Sequence, residues 1–218
     1  MKIESKQSTI KEQTIFNHTG STIKTEDREI HIIARLEEPL VAVLGNVLSD
    51  DECDELITLS KNRMQRSKIG ASHQVNEMRT SSGMFFDDNE NDIITKIEKR
   101  LSSIMNIPVE HGDGIQILKY SAGEEYKPHY DFFSPEIGAS RNNRISTLVM
   151  YLNDVDQGGE TFFPQLNFSV LPKKGTAVYF EYFYTDMNLN ERTLHGGAPV
   201  ITGEKWIATQ WMRKQKFR

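Results

Sequence analysis

The 218-residue sequence contains a single cysteine, Cys53, so no disulfide can form within the chain. Because Cys53 falls in a helical pattern, we expect a buried packing residue rather than a reactive thiol. No stretch approaches the ~18 apolar residues needed to span a membrane, and residues 1–6 lack the apolar core of a secretion signal. The absence of disulfides fits a reducing compartment, so we expect a cytoplasmic, bacterial protein with no membrane partner.

The chain also has no excess of basic residues, because its formal net charge is −5. Sequence-independent nucleic-acid binding needs a basic face that replaces counterions, so we expect no nucleic-acid partner. Hydrophobic residues make up 37% and charged residues 26% of the chain. This balance is ordinary for a globular domain, and the length suffices for a sizeable core.

The first part of the chain divides into a polar segment, a strand-like segment and two helices. Residues 1–29 are polar and of mixed charge, and we expect an arm with at most partial order. Residues 30–44 have the pattern of strands. A capping box, Ser49-Asp50-Asp51-Glu52, predicts the start of one helix, and residues 91–106 have the apolar spacing of a second.

From residue 114 onward, short strand-like runs alternate with glycine and proline. Many short strands with such breaks indicate a sandwich or barrel. We therefore predict a mainly β fold in which residues 30–218 form one domain: a double-stranded β-helix (jelly roll) core over 114–213, braced by N-terminal α-helices within 49–106. The predicted core strands are 114–120, 129–133, 144–153, 168–171, 176–182 and 205–213.

The most informative motif is His129-Tyr130-Asp131, followed 64 residues after Asp131 by His195. In a strand over 129–133, His129 and Asp131 would project to the same face. Two imidazoles and one carboxylate make the facial triad of non-haem Fe(II) oxygenases, which leaves three coordination positions open. A 2-oxo acid can fill two of these positions and dioxygen the third. The H-x-D pair alone is a weak signal, so the prediction depends on the residues around it.

A lysine, Lys205, follows His195 by ten residues. Residues 200–205 have the pattern of a tight hairpin that would bring the next strand beside the His195 strand. A buried lysine needs an anionic partner, which a dicarboxylate co-substrate would supply, and the hydroxyls of Tyr120 and Thr161 could donate to the same anion. Considered alone, Lys205 is equally consistent with a surface position, and Tyr120 and Thr161 with strand packing.

Taken together, four motifs resemble the prolyl 4-hydroxylase branch of the Fe(II)/2-oxoglutarate dioxygenases. The resemblance covers residues 79–213 in the same order, and its lysine favours the collagen-type and plant or algal enzymes and their bacterial relatives. The motifs are Tyr120-x-x-Gly-x-x-Tyr126-x-x-His129-x-Asp131, Arg144-Ile-Ser-Thr-Leu-Val-Met-Tyr-Leu-Asn153, Gly158-Gly-Glu-Thr161-x-Phe-Pro164 and His195 with Pro199-Val-x-x-Gly203-x-Lys205-Trp206.

The resemblance implies peptidyl-proline 4-hydroxylation with Fe(II), 2-oxoglutarate and dioxygen, giving succinate and CO2, with ascorbate as reductant. The implied partner is a proline-containing peptide or protein, collagen-like or proline-rich, and a homodimer is a further expectation. The resemblance implies three groups of site residues. The iron ligands would be His129, Asp131 and His195, which together with Lys205 would be the catalytic residues. The contacts of 2-oxoglutarate would be Lys205, Tyr120 and Thr161, and the contacts of the peptide would be Tyr126, Arg144, Arg79, Ser81 and Trp211.

Other functions are consistent with the same residues. The enzyme could act on a free amino acid or a lysyl residue, or the chain could be a non-catalytic jelly-roll module that holds a structural metal or binds proline-rich peptides. Structural zinc sites are usually closed and rich in cysteine, which disfavours the second alternative. Residues 71–82, which are polar and contain glycine and serine, are the predicted lid over a docked peptide.

Overall fold

The computed structural model describes residues 12–69, 74–75, 78–133 and 142–218. Within these residues the chain forms seventeen strands, β1 to β17, and three α-helices. In chain order the strands are Thr22–Lys24, Glu29–Glu37, Leu40–Gly45, Gln65–Arg66, Lys68–Ile69, Gln74–Val75, Ser82–Phe85, Gln116–Tyr120, Tyr126–His129, Arg144–Tyr151, Gln157–Gly158, Thr161–Phe163, Phe168–Val170, Ala177–Glu181, His195–Gly197, Val200–Thr202 and Lys205–Arg213. The helices α1, α2 and α3 are Asp50–Ser60, Asp92–Met105 and Met187–Glu191.

The strands form two antiparallel sheets that face each other. The main sheet has the order β1-β2-β3-β14-β10-β17-β8-β7-β4, and the minor sheet has the order β13-β12-β15-β9. Two short strand pairs, β11 with β16 and β5 with β6, flank them. The prediction of a mainly β jelly roll with helical support is confirmed. No helix in the described residues is long and apolar enough to cross a lipid bilayer.

Both faces of the main sheet are buried, as alternation along β10 shows. Leu148 and Met150 pack in the cluster that contains the apolar residues of α1 and α2. Val149 and Tyr151 point the other way and pack with Phe163 of the minor sheet. Because side chains alternate between the faces of a strand, one layer of helices and one layer of strands together enclose the centre of the sheet.

Helix α1 begins, and α2 begins and ends, where the sequence predicts, whereas α3 was not predicted. Ser49 Oγ accepts a hydrogen bond from the backbone of Glu52 at 3.1 Å, and the Glu52 carboxylate accepts one from the backbone of Ser49 at 2.9 Å. This confirms the capping box. Asn91 caps α2, and Asn106 ends it in the left-handed conformation at φ 53°. Cys53 is fully buried, and burial raises the pKa of its thiol to about 12, in agreement with the predicted packing role.

The N-terminal segment differs from the predicted arm. Residues 1–11 lie outside the described residues, but Phe16 is fully buried and stacks on Tyr179 with ring centroids 4.9 Å apart. The backbone N–H groups of Ile15 and Phe16 donate to the carboxylate of Glu181 at 3.0 and 3.4 Å. The expectation of at most partial order is therefore wrong for residues 12–29, because a few apolar residues in a polar segment suffice to anchor it.

Two local predictions near the metal motif are also wrong. Strand β9 ends at His129, so Asp131 lies just beyond the strand rather than within it. Residues 200–205 do not bring a strand beside His195. Strand β16 pairs with β11, Gly203 turns the chain at φ 85°, and β17 starts in the main sheet with Lys205 opposite Tyr120. The turn therefore transfers the chain from the short β11–β16 pair to the main sheet.

A buried ion network joins the two helices to the N-terminal segment. The side chain of Arg100 on α2 is fully buried, and its guanidinium donates to Glu52 on α1 at 2.6 and 2.8 Å and to Asp27 at 2.5 to 3.2 Å. Burial alone would raise the pKa of Glu52, but hydrogen bonds from Arg100 and Ser49 lower it to about 2. Both carboxylates are therefore ionised and compensate one buried cation.

Replacing Arg100 by methionine leaves the carboxylates of Glu52 and Asp27 without their buried cation. We expect the Arg100→Met variant to lose about 3–5 kcal/mol in the free energy of unfolding measured with urea. Lys96→Met is the matched control, because the Lys96 ammonium reaches the same two carboxylates at 3.4 and 3.6 Å but its side chain is 54% exposed. That variant should lose no more than about 1 kcal/mol. Equal losses in both variants would contradict a special role for Arg100.

Candidate active site

Strands β9 and β15 bring the predicted metal ligands together. His129 at the end of β9 and His195 at the start of β15 are direct register partners. Asp131 lies just after β9, with one carboxylate oxygen 3.5 Å from Nε2 of His129 and the other 3.6 Å from Nε2 of His195. The three potential ligand atoms all lie within 4.8 Å of one another, so a single metal ion can reach all three.

Backbone carbonyls orient both imidazole rings. Nδ1 of His129 lies 2.9 Å from the carbonyl oxygen of Lys127, and Nδ1 of His195 lies 3.0 Å from that of Thr193. A carbonyl only accepts, so each Nδ1 carries the ring hydrogen and each Nε2 presents its lone pair to the site. The ring of Tyr126 stacks on His129 with centroids 3.5 Å apart and restricts its rotation.

The charges of the three side chains suit a divalent metal. Burial lowers the pKa of His195 to about 4, and the neighbouring His129 adds to this effect. Burial by itself would raise the pKa of Asp131, but His195 and His129 hold it well below its usual range. At neutral pH the site therefore offers a neutral imidazole at His195 and an ionised carboxylate at Asp131. This donor set, with three ligands on one side, fits Fe(II).

Two hydroxyl groups that the sequence analysis missed lie behind Asp131. Thr147 Oγ1 donates to Oδ2 of Asp131 at 2.7 Å, and the hydroxyl of Tyr182 lies 2.8 Å from the same Thr147 oxygen. All three side chains are buried. The available signal for Thr147 was a polar residue between Ile145 and Val149, its apolar neighbours on the same face of the predicted strand 144–153. Nothing in the local sequence marked Tyr182, which follows the adjacent strand β14.

At the other end of the site, Lys205 is 97% buried. Its ammonium lies 5.5 Å from the ring centroid of Tyr120 and 5.9 Å from that of Tyr151. Burial lowers the pKa of Lys205 to about 8, although Glu160 offsets part of the effect. Within the described part of the chain, no hydrogen bond or ion pair satisfies this ammonium. Because a buried cation needs an anion, the site has room and charge for a carboxylate.

A pair of hydroxyls faces the same end. The hydroxyl of Tyr151 donates to Oγ1 of Thr161 at 2.8 Å. Thr161 therefore keeps its own hydrogen for a further acceptor, because a hydroxyl that accepts one bond can still donate another. The sequence analysis identified Thr161 but missed Tyr151.

One of the predicted peptide contacts lies elsewhere. Ser81 is fully buried, hydrogen-bonds the side chain of Tyr120 and lies with its Oγ 2.9 Å from that of Ser67. Burial raises the pKa of Tyr120 to about 12, so the phenol stays protonated and can donate. Ser81 thus supports Tyr120 from behind and does not face a surface on which a peptide could lie.

A single cavity connects the metal ligands to Lys205. Arg79 and Trp211 form part of its wall, and the Arg79 guanidinium lies 5.2 Å from the centroid of the Tyr126 ring. Arg144 is outside this wall. It stacks on Trp211 at 4.0 Å and donates two hydrogen bonds to Asp113 at 2.7 and 2.9 Å. The lining residues are Arg79, Leu118, Tyr120, Tyr126, His129, Asp131, Val149, Thr161, His195, Gly196, Gly197, Lys205, Ile207, Thr209 and Trp211.

The predicted lid falls partly outside the described residues, which omit 71–73 and 76–77. Residues 74–75 form β6, which pairs with β5. Beside β9, Arg79 forms an isolated bridge with Tyr126, and the backbone of Thr80 donates to the carbonyl of Glu125 at 3.1 Å. Within the described end of the segment, Arg79 therefore lies in the cavity wall.

Comparison with known proteins agrees with this site. Residues 115–213 match the 2OG-Fe(II) oxygenase superfamily, so the chain is an Fe(II)- and 2-oxoglutarate-dependent oxygenase. It is 39% identical over 206 residues to prolyl 4-hydroxylase 5 of Arabidopsis thaliana, and the match covers 83% of this chain and 70% of the plant protein. It is 38% identical over 198 residues to prolyl 4-hydroxylase 1 of the same plant, covering 81% of this chain and 70% of the relative.

Solved structures give the same result. A viral collagen prolyl hydroxylase from Paramecium Bursaria Chlorella virus-1, in complex with 2OG, superimposes with a TM-score of 0.65 at 32% identity, covering 79% of this chain and 95% of the viral one. A Pseudomonas putida prolyl-4-hydroxylase shares the fold, with a TM-score of 0.57 at 17% identity over 80% of this chain and 92% of its own. The chain belongs to the prolyl 4-hydroxylase family.

Removing a metal ligand should abolish tight metal binding. We expect anaerobic titration with Mn(II) or Fe(II) to saturate near one equivalent, and the His195→Ala and Asp131→Ala variants to bind at least about 100-fold more weakly. His31→Ala is the control, because His31 is exposed on β2 and belongs to no potential metal cluster. Metal affinity that is unchanged in the ligand variants would show that the ion binds elsewhere.

Proposed function

We propose that the protein hydroxylates C4 of proline residues in a peptide or protein substrate. One observation carries the proposal. A single cavity joins a three-ligand metal site, a buried lysine that no described side chain neutralises, and a wall formed by Tyr126, Arg79 and Trp211. Iron, 2-oxoglutarate and dioxygen, when bound, would supply the oxidising chemistry: one oxygen atom of dioxygen enters the succinate that forms as 2-oxoglutarate loses CO2, and the other enters the substrate.

The lysine end of the cavity would hold the co-substrate. We assign Lys205 to the distal carboxylate of 2-oxoglutarate, as the cation that neutralises it in a dry site. Tyr120 would donate its phenolic hydrogen to the same carboxylate, with Ser81 holding the phenol in place. Thr161 would donate its remaining hydrogen, because Tyr151 already occupies one of its lone pairs. The keto acid end would then extend toward His129, Asp131 and His195.

The aromatic wall would hold the substrate. Tyr126 stacks directly on His129, so a proline ring that packs against Tyr126 is next to the metal position. Arg79 lies over the other part of this wall, and Trp211 continues it toward Arg144. Arg144 would act by fixing Trp211 and by presenting its edge to the peptide backbone. Apolar walls exclude water from the space between the two ends.

Proline-rich and collagen-like segments are the substrates that we propose for this wall, with ascorbate as the reductant that keeps the iron in its divalent state. The aromatic surface of Tyr126 beside the metal position suits the compact ring of proline better than the long, flexible side chain of lysine. Free amino acids would use little of the wall that Trp211 provides. Substrate choice is therefore expected to depend on residues on both sides of the target proline.

A peptide assay tests the proposal directly. With Fe(II), 2-oxoglutarate and ascorbate, a proline-rich peptide should gain one oxygen atom per succinate formed, and fragmentation should locate that oxygen on a proline ring. The controls are the same peptide with lysine or alanine in place of each proline, and free L-proline. Succinate formation that follows lysine peptides or free proline instead would overturn the assignment while leaving the oxygenase chemistry intact.

The charge of Lys205 should make co-substrate binding depend on pH. Burial lowers its pKa to about 8, and a bound carboxylate stabilises the protonated form. Binding is therefore strongest below pH 8 and weakens as the pH rises, by about tenfold per unit once the free amine predominates. This can be measured by anaerobic 2-oxoglutarate titration of the Mn(II)-loaded protein. Lys205→Arg is the control, since guanidinium keeps its charge; parallel pH profiles would contradict the role of Lys205.

A further inference from the structure

The hydrogen bonds around Asp131 distinguish its two carboxylate oxygens. Oδ2 accepts a hydrogen bond from Thr147 at 2.7 Å, whereas Oδ1 lies beside Nε2 of His129, which has no hydrogen to donate because Nδ1 faces the carbonyl of Lys127. The two oxygens are otherwise nearly equivalent, because Oδ1 lies 3.5 Å from Nε2 of His129 and Oδ2 lies 3.6 Å from Nε2 of His195. Distance to the imidazoles alone therefore does not decide which oxygen binds a metal.

The direction of the hydrogen bonds is fixed by chemistry. An ionised carboxylate only accepts, so the single hydrogen of the Thr147 hydroxyl points to Asp131. The Tyr182 hydroxyl, 2.8 Å from the same oxygen, must then donate to Thr147. The ring of Tyr182 is held by Phe180 and Phe132, with centroids 5.9 and 5.6 Å away. The hydroxyl chain thus runs one way, from Tyr182 through Thr147 to Oδ2.

We propose that Thr147 is a positioning residue that reserves Oδ2 of Asp131 for a hydrogen bond, so that only Oδ1 binds the iron. This inference rests on the proposed function of the site. A carboxylate can bind a metal through one oxygen or through both. Binding through both would occupy a fourth coordination position and leave two. The co-substrate needs two positions and dioxygen a third, so a chelating Asp131 would leave none for oxygen once 2-oxoglutarate is bound.

Counting exchangeable water ligands tests this inference without measuring turnover. Water-proton relaxation of the Mn(II)-loaded protein should report three bound waters in the unaltered chain and one after 2-oxoglutarate binds. The Thr147→Val variant, which keeps the size of the side chain but has no donor, should report two waters and then none. Thr147→Ser, which keeps the hydroxyl, should behave like the unaltered chain.

Two further variants control for the loss of a buried hydroxyl. Ser146→Ala removes a fully buried hydroxyl from the adjacent position of β10, on the opposite face of the sheet, and should retain three waters. If Thr147→Val fails to fold because the Tyr182 hydroxyl loses its partner, the double variant Thr147→Val/Tyr182→Phe removes both hydroxyls together, which costs less. That double variant should also report two waters and then none.

The outcomes separate this inference from the function on which it rests. If the unaltered chain binds no Mn(II), or binds it without response to 2-oxoglutarate, the proposed active site is wrong. If the unaltered chain shows three waters and then one, and both donor-less variants show the same, the active site stands and the role of Thr147 is wrong. Loss of one water in Ser146→Ala as well would also overturn it, because the effect would then not be specific to Thr147.

Discussion

Strands β10 and β17 are buried on both faces, because α1 and α2 cover one side of the main sheet and the minor sheet covers the other. Every polar side chain on the inner face of these strands is therefore removed from water and must find a partner within the protein or in a ligand. Thr147 finds Asp131, and Tyr151 finds Thr161. Lys205, a buried cation on the same face, finds no hydrogen bond or ion pair in the described structure, and its charge defines the end of the cavity that takes an anion.

The same enclosure explains why the site uses hydroxyl groups so heavily. A threonine or tyrosine hydroxyl can accept one hydrogen bond and donate another. A hydroxyl that is held by a core residue can therefore fix the orientation of a group that must stay available for a ligand. Tyr182 and Thr147 order one side of Asp131, while Tyr151 orders Thr161. Both threonines thereby present a single hydrogen in a fixed direction. The protein thus fixes the direction of two hydrogen bonds, those donated by Thr147 and Thr161, and the metal and co-substrate supply the reactivity.

Sequence patterns predicted the elements whose structure depends on residues that are close together in the chain. The capping box at Ser49, the helix over 91–106 and the strand that begins at Lys205 all follow from spacing along the chain. The pairing of strands is not local, and for that reason the turn at Gly203 was assigned to a hairpin instead of a change of sheet. Tyr182 and Tyr151 escaped notice because aromatic residues in a strand look like core. Ser81 was predicted to contact the peptide because its position in the sequence does not show that its side chain is buried.

The anchoring of Phe16 also has a consequence for how far the chain can be shortened. Glu181 is a fully buried carboxylate, and burial raises its pKa. Its carboxylate accepts hydrogen bonds from the backbone N–H groups of Ile15 and Phe16 and from the hydroxyls of Tyr179 and Tyr184. The residue after Glu181 is Tyr182, whose hydroxyl stands behind the metal site. Removing the N-terminal segment up to residue 29 would therefore expose the carboxylate of Glu181, which is adjacent in sequence to Tyr182 behind the metal site. The folded unit thus begins well before β2, the first long strand.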